Sequence, residues 1–241
     1  MQVDLSWKTG NLEILMAIGL TTVGFIAYWF LALVEKVKET FTKNYGKERA
    51  LIYWVIYQKQ IGVLFLGILP AIACFITFDH SWEFYGVSMQ NFGLSMLYML
   101  GMSVIITPLA LLSARKPDAY LTYPQIRIKE WTPGLITLNT ANWILYLLAY
   151  EFLFRGILLM LLVPVLGVWP AIIINTSLYS ATHIPKGAKE TISAIPFGLA
   201  LCLITLHTGT IWVAFLAHVL LALLNDYGSL HFNPEMRVKR G

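Results

Sequence analysis

Long apolar runs separated by short polar segments govern what this chain can fold into. Seven such runs occupy residues 12–34, 61–78, 92–113, 142–163, 168–182, 192–206 and 211–225. In lipid every backbone N–H and C=O must find its partner within the protein, so a run of roughly 20 apolar residues is read as a spanning helix. Composition agrees. Of the 241 residues, 58% are hydrophobic and 12% are charged, whereas soluble domains carry about 25% charged residues. The expected fold is all-α: a polytopic transmembrane helical bundle of about seven spans, forming a single membrane-embedded domain over residues 1–241. Residues 131–140 are read as an interfacial lead-in to the fourth run.

The basic residues test the number of spans. Lys36, Lys38, Lys43, Lys47, Arg49 and Lys59 separate the first two runs, and Arg115, Lys116, Arg127 and Lys129 separate the third and fourth. Lys186 and Lys189 lie between the fifth and sixth, and Arg237, Lys239 and Arg240 follow the seventh. With seven spans all of these share one side, against Lys8 on the other. The positive-inside rule then places the amino terminus outside a cell membrane and the carboxy terminus in the cytoplasm. The net charge of +4 is accounted for by loops beside the spans. It implies membrane lipids as partners and no nucleic acid. No basic segment with a small-residue cleavage site opens the chain, so the first run is read as the insertion signal. Residues 34–60 read as a cytoplasmic helical extension. Residues 115–133, with Pro117, Pro124 and Pro133, read as a loop followed by an interfacial segment. Cys74 and Cys202 lie in apolar runs, as helix-packing thiols do.

Three polar clusters interrupt the runs. Glu151 and Arg155 lie within the fourth. Their spacing of four puts them on one helical face, where they can pair. Tyr179 and His183, also four apart, lie near the end of the fifth. His218 lies in the seventh, with Asn225 two turns further along the same face and Asp226 at the boundary. Each has a structural reading: a clamp for the ion pair, an interfacial anchor for Tyr179, a helix-end residue for His183, an interhelical hydrogen bond for His218. Together Glu151, Arg155, His183 and His218 form a set capable of acid–base chemistry, in which a base activates water and a donor meets a developing oxyanion. Two histidines and a carboxylate can also bind zinc, but the His-Glu-x-x-His spacing of zinc proteases is absent. No Gly-x-Ser-x-Gly elbow is present either.

The order of these clusters resembles the CPBP family, the CAAX-protease and bacteriocin-processing group of intramembrane endopeptidases, also called the Abi family. The family pattern runs Glu-Glu-x-x-x-Arg, then Phe-x-x-x-His, then His-x-x-x-Asn. The corresponding segments are Tyr150-Glu151-Phe152-Leu153-Phe154-Arg155, Tyr179-Ser180-Ala181-Thr182-His183 and His218-Val219-Leu220-Leu221-Ala222. Pro196-Phe197-Gly198-Leu199 and Gly209-Thr210-Ile211-Trp212 are also similar to the family's approach to the third motif. The resemblance covers residues 137–227, which implies a core at 131–227 preceded by amino-terminal spans and loops at 1–130.

The resemblance implies an endopeptidase in a bacterial inner or plasma membrane that cleaves a peptide or membrane-associated protein. Glu151 and His183 would activate water, His218 would hold the oxyanion, and Arg155 would orient Glu151. No cofactor is required on this glutamate-type reading. Two positions depart from the pattern. Tyr150 stands where the family has the glutamate thought to activate water, and Ala222 stands where it has an asparagine. The departures admit a non-proteolytic relative acting as a regulator, a scaffold or a helper in lipoprotein or lipid modification. A proton pathway through Glu151 and the histidines is a third expectation.

Overall fold

A computed structural model of the chain describes residues 5–239. Arg240 lies outside the described residues. α1 (Asn11–Ala32) is followed by a long helical stretch built from α2 (Glu35–Val63), a π-helical turn (Leu64–Ile68) and α3 (Leu69–Thr77). α4 (Phe92–Ala114) comes next, then a loop ending in the short strand β1 (Glu130–Trp131). α5 (Pro133–Glu151), a second π turn (Phe152–Leu158) and α6 (Leu159–Leu166) form another continuous stretch. α7 (Val168–Ala181), α8 (Ala188–Thr208), α9 (Trp212–Phe232) and β2 (Arg237–Val238) complete the fold. Among the described residues, six helices are long and apolar enough to cross a membrane. The chain is a multi-pass membrane protein with an all-α bundle.

One detail differs from the sequence expectation and two extend it. The run at 168–182 folds as α7, whose 14 residues extend only about 21 Å at 1.5 Å per residue. That is short of the roughly 30 Å hydrocarbon thickness. The second run continues, as expected, from a helical extension that begins well upstream of residue 61, and this stretch is kinked at Gly46, whose φ is 78°. Finally, residues 133–140 are the first turns of the helix that runs on through the fourth run. Pro133 occupies its first turn, and the Thr132 hydroxyl accepts from the Leu135 N–H at 3.2 Å, a cap that starts the helix there.

The loops fall at two ends. At one, the Ile211 N–H donates to the Gly86 carbonyl at 3.0 Å, and the Thr210 hydroxyl donates to the Ser88 carbonyl at 2.9 Å. At the other, Lys189 donates to Ser113 at 3.2 Å, Tyr120 to the Phe232 carbonyl at 3.0 Å, and the Arg237 N–H to the Lys129 carbonyl at 2.8 Å. α7 therefore returns the chain to this basic end despite its shortness. The last contact belongs to a parallel β1–β2 pair that clasps the carboxy-terminal segment to the loop before α5.

The core lies around the second π turn, all seven of whose residues are buried. A π turn widens the helix and leaves carbonyls to be satisfied from outside, and such turns are frequent at functional sites. Here the Asn175 amide of α7 donates to the Phe154 carbonyl at 2.6 Å, while its oxygen accepts from the Cys202 thiol at 3.2 Å. The first π turn packs on α5 just before the polar cluster. A methyl group on Gly67 would stand 2.6 Å from the Ala149 Cβ, so only glycine permits that approach.

Candidate functional site

Consecutive residues of a helix point about 100° apart, and the end of α5 uses this to send neighbours to different places. Tyr150 lies on the wall of a small cavity of about 70 Å³, together with Tyr28, Trp29, Trp143, Thr182, His183 and His218. Glu151 does not line it. Its side chain is fully buried, with Oε1 2.5 Å from His218 Nδ1 and Oε2 2.9 Å from Arg155 Nη1. The Arg155 contact is close but poorly aligned, and neither Glu151 Oε2 nor Arg155 Nη1 completes a hydrogen bond. It is an ion pair rather than a directed bond.

The Arg155 guanidinium is covered by the face of Tyr179 at 4.3 Å and reaches the Gly198 carbonyl at 3.5 Å. Tyr179 is 1% exposed, so it is a lid on the buried cation and not an interfacial anchor. Cation–π contact of this kind is strongest where water is excluded. Gly198 makes the arrangement possible, since a Cβ there would stand 2.9 Å from Tyr179 Cδ1.

His183 follows α7, where the chain turns. Its Nδ1 lies 2.8 Å from the Tyr179 carbonyl. A carbonyl only accepts, so Nδ1 carries the hydrogen and Nε2 keeps its lone pair. His218 has a different partner, its Nδ1–H donating to the Glu151 carboxylate. Tyr150 lies near both imidazoles, with ring centroids 6.5 Å from His183 and 5.6 Å from His218. The two histidines thus share one cavity, while Glu151 and Arg155 stand behind His218.

Asn225 is not on the cavity wall. It sits about 10 Å along the helix axis from His218 at 1.5 Å per residue. Ala222 packs into an apolar cluster with Trp143, Leu147 and Phe215. Both oxygens of Glu151 are engaged by Arg155 and His218, so Glu151 is not a free metal ligand. Among the described residues, no group of three His, Cys, Asp or Glu side chains is placed to hold a metal.

Sequence reasoning overlooked a second polar centre. Asp226, expected at the boundary, is fully buried. It accepts from the Gln125 N–H at 3.0 Å, the Asn139 amide at 2.7 Å and the Trp143 indole at 3.1 Å. Lys59 is 4% exposed; its ammonium donates to Gln125 Oε1 at 2.7 Å and lies 3.9 Å over the Trp143 ring. Trp143, a wall of the cavity, is therefore held at its edge by a carboxylate network and on its face by a cation. Its place in an apolar run gave no sign of this. Asp226 and Lys59 at the ends of apolar runs were the available signal. A larger groove of about 480 Å³ lies at the basic end beside Arg127 and Met236, with none of the histidines on its wall.

No curated protein and no solved structure matches the chain. A family model described as "Type II CAAX prenyl endopeptidase Rce1-like" matches residues 132–224, the stretch that holds Glu151, Arg155, His183 and His218. Over residues 132–224 the chain is similar to the Rce1-like endopeptidases of the CPBP family.

Proposed function

We propose that this protein is an intramembrane endopeptidase in which the two histidines act on substrate and Glu151 and Arg155 position one of them. The observation that carries this reading is the pairing of His183 and His218 on one cavity, each with its Nδ1–H engaged by an acceptor. Nε2 of His183 removes a proton from water as the oxygen attacks the scissile carbonyl. His218, anchored at Nδ1 by the Glu151 carboxylate, presents Nε2–H to the oxyanion. As the tetrahedral intermediate collapses, the C–N bond breaks and the leaving amine takes the proton held by His183. That donor meets a full negative charge only when the oxyanion forms, which favours the transition state over the ground state. Glu151 acts through His218, as the carboxylate does in a triad.

The substrate is a peptide or membrane-associated protein. By the positive-inside rule the basic end faces the cytoplasm, and substrate arrives from that side, toward which α7 carries His183. The site lies in the cell membrane, with the amino terminus outside. The test is cleavage by the purified full chain in liposomes. Two internally quenched peptides serve as probes: one prenylated and ending Cys-aliphatic-aliphatic-X, the other unmodified and apolar. Mass spectrometry of the products should show one internal peptide bond cut in at least one probe. Intact probes in the presence of folded protein contradict the reading. They would favour a non-proteolytic helper or regulator, for which the small volume of the cavity, about 70 Å³ and too small for a peptide, is the supporting observation.

A further inference from the structure

Hydrogen positions along the cavity wall follow from its acceptors. Thr182 Oγ1 lies 2.7 Å from the Tyr179 carbonyl and 2.7 Å from Tyr150 Oη. A carbonyl cannot donate, and a threonine has a single hydroxyl hydrogen. That hydrogen goes to Tyr179, so the Tyr150 hydroxyl donates to Thr182 and keeps its oxygen lone pairs. His183 Nδ1 donates to the same carbonyl at 2.8 Å, which leaves Nε2 as an acceptor. Tyr150 and His183 both line the cavity. The wall therefore offers two acceptors whose own hydrogens are directed elsewhere. The species that matches them is one with two hydrogens and a lone pair to spare, which is water.

We propose that Tyr150 is a catalytic residue in its own right, its phenol oxygen holding the attacking water jointly with His183 Nε2. This rests on the endopeptidase reading. One hydrogen of the water passes to His183 Nε2, and the other stays on the oxygen, bonded to Tyr150 Oη. The new C–O bond forms as the carbonyl π pair moves onto its oxygen. Tyr150 keeps its proton, and nothing is oxidised or reduced. A phenol orients the water without introducing a further charge into the membrane interior, and the base function falls to His183 alone.

Two measurements test this on the full chain. The first is a structure resolving waters, for the wild type and for Tyr150→Phe, which keeps the ring. A water within about 3 Å of both Tyr150 Oη and His183 Nε2, lost in Tyr150→Phe, is expected. Its absence from the wild type, or its persistence in the variant, overturns the proposal. The second is kinetics on the quenched peptides. Tyr150→Phe should lower kcat by about 10- to 100-fold with KM held within about twofold. Thr182→Val, which releases the phenol hydrogen into the cavity, should lower kcat in the same direction. Full kcat in Tyr150→Phe, with His183→Ala inactive, overturns the proposal while sparing the endopeptidase reading. Wild-type protein that cleaves neither peptide removes the endopeptidase reading and the catalytic role of Tyr150 with it, and the water occupancy then reports only on the hydrogen-bond assignment.

Discussion

Nδ1 of His218 lies 2.5 Å from Oε1 of Glu151, 67 residues away in sequence. This bond joins α9 to the end of α5 and turns a buried carboxylate toward an imidazole. The other oxygen of Glu151 faces Arg155 at 2.9 Å, with both side chains fully buried. Removing one partner of a buried pair leaves the other uncompensated, at a cost of about 3–5 kcal/mol. Glu151→Gln should therefore destabilise the protein by about that amount in denaturation of the detergent-solubilised chain. Combining it with Arg155→Met should restore part of the loss. Additive losses in the double variant show that the two charges do not interact.

Gly198 governs the lid over Arg155. A methyl there stands 2.9 Å from the Tyr179 ring, and the ring is fixed against the guanidinium. Overpacking of this kind costs about 1–3 kcal/mol. Gly198→Ala should lower the melting temperature and reduce any hydrolytic rate through displacement of Tyr179 and His183. An unchanged melting temperature contradicts this packing.

The Asp226 centre predicts an effect on the cavity from outside it. Asp226→Ala deprives the Gln125 N–H, the Asn139 amide and the Trp143 indole of their acceptor, a loss of about 3 kcal/mol. Because Trp143 walls the cavity, the same change should raise KM or lower kcat. Asp226→Asn, which keeps an acceptor oxygen, should be milder in both. Equal stability of Asp226→Ala and wild type contradicts the network.

The clasp between β1 and β2 carries a pH dependence. Lys239 and Arg237 hold the Glu130 carboxyl down to about 2, below an unfolded value near 4.3. A depressed carboxylate stabilises above its unfolded value and loses that contribution as pH falls through the folded one. The Lys239 N–H bond to the Trp131 carbonyl, 2.7 Å long, should stay formed from neutral pH down to about 4 and weaken toward 2. Amide chemical shifts through an acid titration report this. A transition centred above 4, or one insensitive to salt, contradicts it, because exposed pairs are screened.

How much of this was legible in the sequence depends on the length scale of the signal. Apolar runs and basic loops specify spanning helices well, because the bilayer imposes length and polarity directly. The pairing of Glu151 with Arg155 was readable from helical spacing, and the motif order located His183 and His218. The direction of each side chain was not. Glu151 faces α9 and Tyr150 the cavity because of how α5 is rotated against its neighbours, and the packing at Gly67 and the π turn sets that rotation. Local sequence carries little trace of a π turn. The shortness of α7 and the burial of Asp226 and Lys59 likewise follow from tertiary contacts between distant segments.

The central claim is that His183 and His218 act together on substrate. Single-turnover cleavage of the quenched peptides by His183→Ala and His218→Ala in liposomes tests it most directly. Rates at least about 100-fold below wild type are expected for each, with thermal unfolding that remains cooperative. Wild-type rates in either well-folded variant would contradict it.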